Sequence, residues 1–161
     1  VLIDAAPRHV TNEEVSRAVV GALWALSVHD ALVKKLVSKG AVQAVIKCAR
    51  QMPKDEEVQS STAALIRNLA INEDVRWTVA EQEGISMLLG AAEAHPESAE
   101  VAAQVACALW NLSQTVEVAA EVAASGAVDL LVKMAQSFLY DPTVQLGVCG
   151  CIRLFFVTDA A

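Results

Sequence analysis

Valine returns at Val15, Val58, Val101 and Val144, a step of 43 residues each time, and each opens an apolar segment that ends alike. The endings read ALWALS at 22–27, ALIRNLA at 64–70, ALWNLS at 108–113 and CIRLFF at 151–156. Behind the first three, a glycine followed by a small or branched apolar residue recurs as Gly40-Ala41-Val42, Gly84-Ile85 and Gly126-Ala127-Val128, with only the middle one a residue out of step. A fixed period in the 40s with helical content specifies stacked helical units, because no single unit can bury its own apolar face. The repeat therefore constrains the fold far more than the function.

Three helices fit each period. A short first helix, as at 73–82 or 116–124, runs to a glycine, which tolerates the left-handed conformation that ends a helix and turns the chain. A second helix follows at 41–51, 85–94 and 127–138, with Pro53 and Pro96 marking its exit one period apart. The third and longest helix begins among acidic residues, Asp55-Glu56-Glu57, Glu97 with Glu100, and Asp141, which complement the helix dipole. It runs to the ALWNLS-type ending, so third helices are expected to end near 27, 70, 113 and 157 and to lie side by side.

Composition fits this picture. Hydrophobic residues make up 55% of 161 and aromatics 4%, so the core is mostly Ala, Val and Leu; Ala and Leu form helices well, and small side chains let the axes approach closely. The net charge of −7 argues against a nucleic-acid backbone or an anionic membrane as partner. The basic cluster Lys34, Lys35, Lys39, Lys47, Arg50 and Lys54 reads as the solvated face of one repeat. No apolar run is long enough to span a bilayer. Cys48, Cys107, Cys149 and Cys151 show no ligand spacing and read as reduced thiols, which points to an intracellular protein, cytoplasmic first, with nucleus or cilium as alternatives. Val1-Leu2-Ile3 align with Ala44-Val45-Ile46, so the chain is expected to start inside a repeat of a longer array.

The order of short helix, glycine, middle helix, acidic start and long helix ending in A-L-[WR]-N-L-[AS] resembles the armadillo repeat. The resemblance covers essentially the whole chain and implies an all-α, right-handed α-solenoid with three helices per repeat. It divides the chain into a partial repeat at 1–27 and full repeats at 28–71, 72–114 and 115–158. In armadillo proteins the third helices line a concave groove, where an Asn near the helix end holds the backbone of an extended peptide. The matching positions here are Ala25, Asn68, Asn111 and Leu154, so two repeats carry the amide, which offers a donor and an acceptor to any peptide unit.

The family's nuclear-import adaptors also place a Trp four residues before that Asn. Gly21, Ala64, Cys107 and Gly150 stand there instead, which disfavours capture of a basic import signal. Seven residues before the Asn position stand Ala18, Ser61, Gln104 and Gly147, giving a shallow trough. The bulky groups have moved to Trp24, Arg67, Trp110 and Arg153, where indole and guanidinium alternate one repeat apart and could form a cation–π ladder. Packing of the indoles between helices, with arginine stems covering them, is the simpler alternative. Trp77, on a first helix, reads as packing between repeats.

His9 and His95 share one repeat position and His29 starts a first helix, yet none has a partner at the spacing of a known triad or metal site. The expectation is a non-catalytic protein-interaction module with no cofactor. A partner's peptide or helix would lie along Asn68, Asn111, Trp24, Trp110, Arg67, Arg153, Gln104, Ser61 and Arg17. Two alternatives stand beside it: a structural spacer in a cytoskeletal or ciliary assembly, and binding of a small anion by Arg17, Arg67 and Arg153. Val1, Leu2 and Ile3 at one end and Phe155, Phe156 and Val157 at the other are expected to be uncovered.

Overall fold

The computed structural model describes residues 3–4, 8–9 and 11–158, with side chains described as far as Phe156. Ten helices follow the partly described first segment, and the described residues contain no strand. They are α1 (Glu13–Ser27), α2 (Asp30–Ser38), α3 (Ala41–Gln51), α4 (Glu56–Leu69), α5 (Glu73–Glu81), α6 (Gly84–Ala94), α7 (Ala99–Leu112), α8 (Val116–Ala124), α9 (Ala127–Ser137) and α10 (Pro142–Thr158).

Each long helix starts the same way. Asn12, Asp55, Ser98 and Asp141 lie one period apart and accept a hydrogen bond from the backbone N–H three residues on, at Val15, Val58, Val101 and Val144. A side-chain oxygen there satisfies a donor that has no partner inside the helix. The turn between first and second helices is equally regular, with left-handed backbone at Gly40 (φ 84°), Glu83 (φ 66°) and Gly126 (φ 86°). The residue out of step in the sequence is therefore no slip in the repeat, and Gly84 does not break the first helix as expected. Glu83 takes the left-handed position, and Gly84 starts α6 where an added Cβ would lie 2.6 Å from the Val79 carbonyl oxygen. Arg50 pairs with the displaced carboxylate at 2.6 Å.

Three rows of helices result. The long helices α1, α4, α7 and α10 pack in succession, as do α2, α5 and α8, and α3, α6 and α9. The core runs along the rows through fully buried Leu23, Leu65, Ile66, Leu69, Leu88, Leu109, Leu112 and Leu131. Each such side chain contributes about 1.5–3 kcal/mol on removal from water. Val1, Leu2 and the side chain of Val157 lie outside the described residues, while Ile3 packs partly buried against the core. At the other end the expectation divides: Phe155 is buried, and Phe156 is 74% exposed.

Candidate functional site: the face of the long helices

The candidate side chains sit on the long-helix row, and neighbours on both sides decide how much of each is open. Trp24 on α1 and Arg153 on α10, at the two ends of the row, are exposed. Arg67 on α4 and Trp110 on α7, between them, are half-buried. Trp110 is seated against the following layer, where a Cβ on Gly150 would come within 2.5 Å of its indole ring. Its Nε1–H is buried without a partner.

The two amides face the preceding layer. Asn68 is buried and its Nδ2 donates to Ser27 Oγ at 3.0 Å, while Ser27 Oγ donates in turn to the Trp24 carbonyl at 2.6 Å. Arg67 donates from Nη2 to Asn68 Oδ1 at a long 3.4 Å. Half-buried Asn111 donates from Nδ2 to the Arg67 carbonyl at 3.0 Å. Each Asn thus ties its layer to the one before through its amide nitrogen.

The remaining candidates spread out. Gln104 donates to Glu100 Oε1 on its own helix at 2.7 Å, and Ser61 is half-buried. Arg17 is held at the N-terminal edge of the row, donating from Nε to Asp55 Oδ2 at 2.7 Å and pairing through Nη2 with Glu13 at 3.6 Å. Burial acts to raise the Asp55 pKa. The Val58 N–H and the Arg17 guanidinium outweigh it and hold the carboxyl below its ordinary value. A cleft of about 620 Å³ opens beside this pair, lined by Gln51, Met52, Pro53 and Lys54 among others, away from the Trp and Arg positions. Arg17 therefore does not join Arg67 and Arg153 as a ready anion site, since its charge is already paired.

Signals legible only in three dimensions lie between helices. His95 contacts the Pro53 carbonyl at 2.9 Å, and Ser98 Oγ donates to Glu56 Oε1 at 2.6 Å. Buried Gln59 donates to the carbonyls of Ala49 and Met52, and Gln145, two periods on, repeats this with Ala135 and Phe138, so each closes the end of a second helix. Among the described residues no group of His, Cys, Asp and Glu could hold a metal ion, and no helix is long and apolar enough to cross a membrane. No protein-family model matches the chain, and no curated protein matches it.

Proposed function

We propose that the chain is a segment of a right-handed armadillo-type solenoid that holds an extended or helical segment of a partner protein along its long helices, without catalysis. The observation that carries the reading is one repeat position filled by Trp24, Arg67, Trp110 and Arg153 in four successive layers, half-buried in the two inner layers and exposed in the two outer ones. Helix layers stand about 8–10 Å apart and an extended peptide advances about 3.3 Å per residue, so every third peptide residue meets one rung. Indole rings offer flat apolar area, and guanidinium groups offer donors for carbonyls or carboxylates. Asn68 and Asn111 serve this reading indirectly, by holding the layers that carry the rungs.

Those same internal bonds favour a second reading, a spacer in a large assembly, because a groove whose amides are engaged offers less to a peptide backbone. Selection of peptides from a displayed library against the purified chain separates the two. For a binding face, selected peptides bind the Trp24→Ser/Arg153→Ser variant about tenfold more weakly or worse. They bind a Gln43→Ala/Lys47→Ala variant of α3 as well as the parent. No enrichment of any sequence, or equal loss on both variants, overturns the groove reading.

A further inference from the structure

The clefts between successive second helices repeat as the helices do. Between α3 and α6 one is lined by Ala49, Arg50, Pro53, Gln59, Met87 and Gly90 among others. One period on, between α6 and α9, the next is lined by Ala92, Glu93, Pro96, Leu130, Lys133 and Met134. The polar group that does not carry over is Gln59, whose counterpart is Ala102. Gln59 and Gln145 each turn one amide nitrogen toward two carbonyls at the end of a second helix, Ala49 with Met52 and Ala135 with Phe138. The layer between them has the same pair of carbonyls, at Ala92 and His95, and no amide to meet it. Pro96 stands where the residue four on would donate to Ala92, and proline has no N–H. The His95 N–H goes to the Ala91 carbonyl, and the His95 carbonyl accepts from the Ser98 N–H. Among the described residues no donor reaches the carbonyl of Ala92, a residue only 5% exposed. A carbonyl so placed is costly to leave unpaired.

We propose that the cleft between α6 and α9 seats an arginine side chain of a partner protein, which supplies from outside the donor that Gln59 and Gln145 supply from within. The cleft measures about 420 Å³, against about 340 Å³ for the one beside Gln59. Glu93 and Asp129 line it together with Lys133, two carboxylates to one ammonium, and among the described residues none of the three is in an ion pair. Asp129 and Lys133 are exposed, as are their counterparts one layer earlier, Ser86 and Gly90. The balance of charge favours a cation, and Pro96, Leu130 and Met134 offer apolar surface to a long aliphatic stem. A guanidinium nitrogen carries two hydrogens, as the Gln59 amide nitrogen does, and its remaining N–H groups form a fork that matches a carboxylate. An ammonium is a point charge that water holds more strongly. Free arginine fits less well than an arginine within a chain, because its own carboxylate would approach Glu93 and Asp129. The site lies on the second helices, apart from the Trp and Arg positions of the long-helix row.

Titration of the isotopically labelled 161-residue chain with Nα-acetyl-arginine methylamide, followed by amide NMR shifts, tests this. Saturable shifts are expected at 92–96 and 129–137, with none around Gln59, whose own amide fills the equivalent place. Nα-acetyl-lysine methylamide and free arginine are each expected to bind several-fold more weakly. Ala102→Gln puts an amide where two other layers carry one and is expected to weaken binding about tenfold or more. Glu93→Gln/Asp129→Asn changes exposed residues only, so it tests the charge without disturbing the buried position, and it should weaken binding to a similar degree. Absence of saturable shifts in the cleft, equal shifts around Gln59, or parent affinity in either the folded Ala102→Gln variant or the carboxylate variant overturns the proposal. Lysine binding as tightly as arginine overturns the choice of a guanidinium, and tighter binding of free arginine overturns the choice of a protein partner.

Discussion

Four layers built on one pattern give each side chain three counterparts to be compared with, and the comparison is sharpest at Thr62. Its counterparts Val19, Val105 and Val148 are buried valines, whereas Thr62 is buried with its hydroxyl unpartnered. A buried hydroxyl without a partner costs free energy that an apolar group of the same shape does not. Thr62→Val is therefore expected to raise stability by about 1 kcal/mol in urea unfolding; a loss would contradict the internal comparison. Cys151 makes a second case. Burial pushes its thiol from 9.0 up to about 11, against a smaller opposing effect of the Ser113 hydroxyl. The folded pKa lies above the unfolded one, so this contribution to stability is complete below about pH 9 and is lost as the pH rises through 11. Cys151→Ala should flatten the alkaline decline of unfolding free energy relative to the parent, and identical slopes would argue against a buried thiol.

Single elements were largely legible in the sequence, because helix ends are written locally. The valines one period apart, the acidic starts and the glycine turns all name residues that act on their own backbone. What escaped was whatever depends on packing against another helix. Glu83 in left-handed backbone has no local signal, since the need for glycine at 84 arises from the Val79 carbonyl packed against it. The seat of Trp110 on Gly150 was invisible for the same reason: a period fixes which residues are equivalent and leaves open which layer each one faces. This seat also bears a direct test. Gly150→Ala forces a methyl group against the indole and is expected to cost about 1–3 kcal/mol. Trp110→Leu makes room, so the double variant should be less destabilised than the sum of the two. Additivity in that cycle would place Trp110 away from Gly150.

For the molecule as a whole, the row of long helices decides which groups a partner can reach. The resemblance to armadillo repeats implies a peptide clamp at Asn68 and Asn111, and the sequence goes no further, because an amide's partners are set by the layer behind it. In the folded chain those partners are Ser27 and the Arg67 carbonyl, while Trp24 and Arg153 remain open. The measurement that separates staple from clamp takes one variant, Asn68→Ala/Asn111→Ala, and reads two quantities. Loss of two inter-layer bonds, each worth about 0.5–1.5 kcal/mol, is expected to lower the melting temperature by several degrees, at roughly 2–4 °C per kcal/mol for a chain of this length. The folded fraction should bind selected peptides with parent affinity. An unchanged melting temperature with binding abolished would show instead that both amides serve the partner and that the layers hold together without them.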